Sequence, residues 1–305
     1  MWSIRRFAAL AVAFGLVLAA CSGGASPSPS ASAAPPSEVP SASASAAQAT
    51  PVPGGLLDKI MKAGKFVVST APKYPPQSEL QPDGTFKGFD IDVATEIAKR
   101  LGVKVEFATP DWTAITAGSW GGRWDMSIGS MTITIDRAKV LDFSPPYYGV
   151  PVQLTASVAS GITTIAGLAG KTICSGQGTT YDQWLNGTLD YGTGQDLGKP
   201  PAGIKTTTLS PGSDCPVQWK AGRNDFQGWL SASTEVDAAI KAGLPVVKVG
   251  DPVYSEPLGI AVDKSGPADA DFVAALKKIV DDMHADGTLK AFSMTWFGAD
   301  FTTVK

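Results

Sequence analysis

Apolar residues fall along the chain in two rhythms. Phe66-Val-Val-Ser-Thr70 and Val103–Ala108 are short runs rich in β-branched and aromatic residues, the pattern of buried strands. Between them, Ile91, Ala94, Ile97, Ala98 and Leu101 recur at helical spacing. Asp90 is placed to cap that helix and Gly102 to stop it. Thr172–Ser175, Lys205–Leu209, Phe226–Leu230 and Val246–Val249 read as further strands, and Phe272, Leu276, Ile279 and Met283 trace a helical stripe that ends before Gly287. Short strands alternating with helices from 56 to 305 predict α/β architecture, with no internal repeat.

The first 55 residues break this rhythm. Residues 1–20 read as an export leader, with Arg5 and Arg6 as the charged part, Phe7 to Leu18 as the apolar part and Ala19-Ala20 as the small residues. The apolar run is too short for a good spanning helix. Leu18-Ala19-Ala20-Cys21 resembles the bacterial lipoprotein box, in which the Cys becomes the lipidated first residue of the mature chain; an ordinary secretory leader ending near a Cys is the alternative. From 22 to 55, 29 of 34 residues are Ser, Ala, Pro or Gly, too little apolar surface to offset ordering entropy. Residues 21–55 are therefore expected to be a lipidated Cys and a disordered tether.

Charge and rare residues narrow the chemistry. The formal charge is −3, and removing Arg5 and Arg6 with the leader takes it to −5, with no Lys/Arg run. That balance argues against a nucleic-acid partner. A single histidine, His284, leaves almost no room for a histidine metal site or a Ser-His-Asp triad, and no cofactor is implied. Gly167-Leu-Ala-Gly-Lys-Thr172 fails as a phosphate loop, because Ile165 stands where the first Gly is needed and Thr172 begins a strand.

An ordered set of motifs then points to a family. It runs through Gly64-Lys-Phe-Val-Val68, Tyr74-Pro-Pro76, Lys87-Gly-Phe-Asp90, Asp111-Trp112, Ser130-Met-Thr-Ile-Thr134 with Arg137, and Asp142-Phe-Ser144. Gln177-Gly-Thr-Thr180, Lys220-Ala-Gly-Arg223, Glu256-Pro-Leu-Gly-Ile260 and Trp296-Phe-Gly298 follow at matching spacing. In this the chain resembles the family 3 extracellular solute-binding proteins, receptors of polar amino-acid ABC importers. The resemblance implies a two-lobe periplasmic-binding-protein-like (type II) fold with a two-strand hinge. The crossings are expected near Gln153–Ala156 and Leu258–Val262, with lobe one as 56–152 plus 261–305 and lobe two as 153–260.

The resemblance also places a ligand. Arg137 stands where the family puts its carboxylate-binding Arg, and a guanidinium can grip a carboxylate through two parallel bonds. Tyr74 and Trp112 match positions whose rings flank the ligand, although aromatics after strands also serve as core. Gly129, Ser130, Met131 and Thr132 would add backbone groups and a hydroxyl. Gln177, Thr179 and Thr180 lie before an expected helix start, where N–H groups can hold an anion. The family Asp that pairs with the ligand's ammonium falls, counted without gaps from Gly222-Arg223, on Leu230, followed by Ser231. Either another acid substitutes, with Glu79 and Glu235 as candidates, or the ligand lacks a free amino group. Gln77 replaces a common Phe and makes that wall more polar.

Cys174 and Cys215 remain once Cys21 is assigned to lipid. An exported chain favours a disulfide between them, free buried thiols being the alternative. The resemblance thus implies an exported receptor, lipid-anchored to the outer face of the cell membrane, that captures an amino acid or related carboxylate, closes on it, and docks as a monomer on an ABC permease. A cyclohexadienyl-dehydratase-like enzyme on the same scaffold would need a pocket acid with a raised pKa, and a ligand-sensing protein feeding a signalling receptor is the third reading.

Overall fold

The computed structural model describes residues 50–303. The expected leader, Cys21 and the tether through residue 49 lie outside the described residues. The chain opens with α1 (Leu56–Ala63) and β1 (Lys65–Ser69), then a small hairpin sheet of β2 (Lys73–Tyr74), β3 (Ser78–Leu80) and β4 (Phe86–Lys87). Helix α2 (Phe89–Leu101), β5 (Lys104–Ala108), α3 (Trp112–Thr116), β6 (Met126–Thr132), α4 (Ile135–Ala138) and β7 (Leu141–Phe143) complete the first pass through one lobe. The long strand β8 (Tyr148–Ser157) leads into the other lobe, built from β9 (Thr172–Gly176), α5 (Thr180–Leu185), β10 (Lys205–Leu209), α6 (Asp214–Lys220), β11 (Gly228–Ala232), α7 (Ser233–Lys241) and β12 (Val246–Lys248). A second long strand, β13 (Tyr254–Asp263), returns to the first lobe, which α8 (Ala270–Ala285) and α9 (Thr288–Phe297) cover.

One mixed ten-stranded sheet runs through both lobes in the order β10-β9-β11-β8-β13-β6-β1-β5, with β12 also on β8 and β7 also on β13. The expected two-lobe α/β fold with two crossing strands is present. The crossing itself lies a few residues earlier than expected. β8 and β13 pair with each other from Tyr148 opposite Leu258 to Val152 opposite Tyr254. Beyond Val152, β8 pairs with β11, and beyond Leu258, β13 pairs with β6 and then β7. Both strands are buried almost throughout, so their apolar pattern carries no mark where one partner is exchanged for another.

Two local expectations shift, with consequences for the site. Asp90 is not the cap of α2. Gly88 holds that place at φ 138°, where a Cβ would sit 2.1 Å from the Gln77 carbonyl oxygen, so only glycine fits and the helix starts earlier. Asp90 thereby enters the first turn and turns inward. The strand expected at Phe226–Leu230 begins at Gly228 instead. Phe226 leaves the sheet to pack on Trp219, ring centroids 5.5 Å apart.

Cys174 on β9 and Cys215 on α6 form the expected disulfide, with S–S 2.01 Å and Cα–Cα 6.1 Å. They are 41 residues apart in sequence. Closing a loop of that length removes unfolded-state entropy worth about 4 kcal/mol in the chain-entropy account.

Candidate functional site

The lobes meet around a cavity of about 110 Å³. From the first lobe, Ala71, Lys73 and Tyr74 follow β1, Trp112 opens α3, Gly129, Ser130 and Thr132 come from β6, and Arg137 from α4. The facing lobe contributes the turn from β9 into α5, with Gly176, Gln177 and Thr179 to Tyr181, the Leu209–Ser213 loop, and Ser231 with Glu235 at the β11–α7 junction. The backbones of Gly176 and Gly212 touch: a Cβ added at Gly212 would lie 2.8 Å from the Gly176 Cα. That contact sets two loops of the floor side by side.

The lobes are closed on each other. Gln77 Nε2 donates to Thr234 Oγ1 at 2.6 Å, Ser213 Oγ to the Lys73 carbonyl at 2.8 Å, and Trp112 Nε1 to the Gly178 carbonyl at 3.2 Å. The hydroxyls of Tyr74 and Tyr181 lie 3.4 Å apart.

Arg137 is 5% exposed and held on several sides. Thr134 caps its short helix by accepting the Arg137 N–H at 3.3 Å. Nη1 donates to the Thr132 carbonyl at 2.9 Å and Nη2 to the Gly178 carbonyl at 3.4 Å, while the guanidinium lies 5.2 Å from the Trp112 ring centroid. Burial pulls its pKa down to about 10, partly offset by Glu256, which leaves it a cation at neutral pH.

Behind the Gly129–Thr132 wall, Ser130 has φ 55°, a left-handed conformation that costs a non-glycine residue about 1 kcal/mol or more. Hydrogen bonds hold it there. Its Oγ donates to Asp90 Oδ2 at 2.8 Å, and its N–H donates to the Tyr147 hydroxyl at 3.1 Å, which in turn donates to Asp90 Oδ1 at 2.7 Å. Burial pushes the Asp90 carboxyl up to about 7 against these two bonds.

On the opposite wall Glu235 is 4% exposed. Ser231 Oγ donates to its Oε2, while Oε1 is buried with no partner. Burial outweighs the single hydrogen bond and pushes this carboxyl up to about 8.

Ten of the twelve residues expected at the ligand line the cavity: Tyr74, Trp112, Gly129, Ser130, Thr132, Arg137, Gln177, Thr179, Thr180 and Ser231. Met131 and Leu230 do not. Met131 packs with Ile115, Trp120 and Leu141, and Leu230 lies in the main core. Strand alternation explains both: next to Ser130 and Thr132 on β6, and next to Ser231 on β11, the neighbouring side chain must face away. Of the two substitute acids, Glu79 is exposed on the hairpin and bonds Gln81, whereas Glu235 lines the cavity. Glu256, quoted in the sequence only as part of a motif, is buried beside Thr132 and Thr180. Its only sequence signal is a glutamate inside an apolar strand.

Comparison with known proteins agrees with this fold. Residues 66–299 match the model of the bacterial extracellular solute-binding proteins, family 3. The L-cystine-binding protein TcyJ of Escherichia coli (strain K12) is 29% identical over 253 residues, covering 81% of this chain and 88% of that protein. An ancestral arginine-binding protein bound to arginine shares 31% identity at a TM-score of 0.66, covering 77% of this chain and 99% of the other. The ancestral amino acid-binding protein AncCDT-1, a precursor of cyclohexadienyl dehydratase, shares 30% identity at a TM-score of 0.66, covering 79% and 99%. The chain belongs to the bacterial extracellular solute-binding proteins of family 3, whose members are extracytoplasmic binding proteins and whose curated relatives matched here are amino-acid-binding proteins of ABC transporters.

Proposed function

We propose that the cavity holds a free amino acid by both of its charged ends. Arg137 from the first lobe takes the carboxylate in a bidentate bond, assisted by the N–H groups at the start of α5. Glu235 from the second lobe takes the ammonium on its unpartnered oxygen, and Tyr74 and Trp112 flank the body of the ligand. The observation that carries this reading is a buried guanidinium and a buried, half-satisfied carboxyl lining one cavity from opposite lobes. Ligand bonds made to both lobes exist only in the closed form, so the ligand shifts the population towards closure. Glu235 is the only carboxylate among the lining residues, against Arg137 and Lys73, so the reading favours neutral or acidic amino-acid side chains over basic ones.

A thermal-shift screen against free amino acids, their N-acetyl forms and amine-free carboxylates tests the proposal. At about 1,000 times its Kd a ligand stabilises by about 4 kcal/mol. Free amino acids should raise the melt and N-acetyl forms should not; equal shifts from amine-free acids would remove Glu235 from the role. The protein acts, in this reading, without covalent chemistry, as a monomer tethered through a lipidated Cys21 and docking on a permease.

One observation favours a second reading, an enzyme of the cyclohexadienyl-dehydratase kind. A buried cavity acid pushed up to about 8 is protonated at neutral pH and so suited to general-acid work. Turnover of a cyclohexadienyl carboxylic acid, lost in Glu235→Gln, would establish it; binding without turnover would end it.

A further inference from the structure

Glu256 sits on β13 opposite Val150, inside the segment where the two crossing strands pair, and is 2% exposed. It is a buried acid for which the clamp just described has no use. Its Oε1 accepts the hydroxyl hydrogen of Thr132 at 2.9 Å and also that of Thr180, and the two threonine oxygens lie 3.3 Å apart. Thr132 ends β6 in one lobe; Thr180 opens α5 in the other. The Thr132 carbonyl in turn accepts from Arg137 Nη1.

We infer that Glu256 is a positioning residue that couples closure of the lobes to the geometry of the binding site. A single carboxylate oxygen at the crossing gathers one hydroxyl from each lobe, and this three-way link can form only when the lobes are together. It also fixes hydrogen-bond polarity. A hydroxyl whose hydrogen goes to a carboxylate has only lone pairs left to offer, so Thr132 and Thr180 present acceptors to the cavity. On the other sides, Glu256 faces the Arg137 guanidinium from α4 and the hydroxyls of Tyr181, Tyr191 and Tyr254. Burial raises its pKa, and the hydrogen bonds from Thr180, Thr132 and Tyr181 together with the Arg137 charge oppose the rise, so a buried charge here is largely satisfied.

The inference deepens the amino-acid reading, but its test uses no ligand and so stands or falls separately. Hydrogen–deuterium exchange is followed on the full chain without added solute. Glu256→Gln preserves size but brings an NH₂ group against two hydroxyls. Losing charge-assisted bonds at both threonines should speed exchange at least about tenfold in peptides spanning 130–138 and 176–185. Peptides of β1 and β5 should be unchanged, which shows the fold intact. Thr180→Val should speed both segments as well, although it lies in only one lobe, and adding Glu256→Gln to it should produce little more. Wild-type exchange in Glu256→Gln overturns the inference, as do strictly additive effects in the double variant. If Glu256→Gln does not fold, Thr180→Val decides alone: acceleration confined to 176–185, with 130–138 untouched, overturns it.

Discussion

One wall of the cavity carries a cation and the other a protonated acid, and the two are finished to different degrees. On the first lobe, Arg137 already has two carbonyl partners, a capped helix and an aromatic face, and the neighbouring Ser130 turn is locked by Asp90 and Tyr147. On the second lobe, Glu235 has one serine and an oxygen with nothing to bond. A cation with its geometry preset costs little reorganisation when an anion arrives. A carboxyl left partly unsatisfied raises the energy of the closed, unliganded form and lowers it again when a donor fills the gap. In the proposed clamp the first lobe thus supplies the anchor, and the second supplies the selection for an amine.

Substitutions should separate these roles. Arg137→Ala removes the anchor and should have the largest effect on binding: truncating one partner of a buried charge pair costs roughly 3 kcal/mol or more, a hundredfold or more in Kd, measured by calorimetry with the amino acid that gives the strongest melt shift. Arg137→Lys should recover only part of it, because a lysine cannot form the two-bond fork. Next, reducing the Cys174–Cys215 disulfide should loosen the second lobe. A loss of about 4 kcal/mol would lower Tm by roughly 10 °C, and binding should weaken less than stability does. An unchanged Tm would mean that the second lobe is held by packing alone. Glu235→Gln should cost binding of a free amino acid about 10- to 100-fold, the range for a hydrogen bond to a charged group, while an amine-free analogue should bind the variant at least as well as the wild type.

The smallest expected effect is on pH dependence, and its sign is fixed. The Glu235 carboxyl keeps its proton up to about pH 8 in the folded protein but only to its ordinary 4.5 when unfolded. Between those values the native state holds more protons than the unfolded state, so this group's contribution to stability falls as pH rises through that window. Asp90 acts in the same direction, from 3.8 to about 7. The Tm difference between wild type and Glu235→Gln should therefore shift against the wild type as pH climbs from 5 to 8. A constant difference would place Glu235 in a more solvated setting than its burial indicates.

The same comparison shows what a sequence can and cannot carry. The proposed anchor was legible only through the family resemblance carried by Ser130–Thr134 and Arg137; taken alone, an arginine at that place reads equally as a surface residue beside Asp136 or Asp142. The acid proposed to select an amine was legible only as one of two candidates, Glu79 and Glu235. The count from Gly222-Arg223 lands on Leu230, whose side chain faces the core because it alternates with Ser231 along β11. The acid that does line the cavity, Glu235, sits in the first turn of the next helix, a place that no fixed spacing within a strand can indicate. The sequence points to Asp90 as the cap because the reason Gly88 takes that role, the Gln77 carbonyl 2.1 Å from a would-be Cβ, lies in a hairpin eleven residues upstream. Glu256 is a hinge acid only because β8 changes partner beside it, and long-range pairing of that kind leaves no periodic trace. The cysteine pair, by contrast, followed from compartment and count.

The central claim is that opposite charges from opposite lobes clamp a zwitterion, and proton release tests it most directly. A bound ammonium favours the ionised form of Glu235, so binding at pH 7 should expel up to about one proton per ligand from a carboxyl that holds it until about pH 8. Titration calorimetry in buffers of different ionisation enthalpy reads that number. Release of a proton by wild type, and none by Glu235→Gln, is the predicted result. Tight binding of the same amino acid with no proton released, or equal release from the variant, would contradict the account.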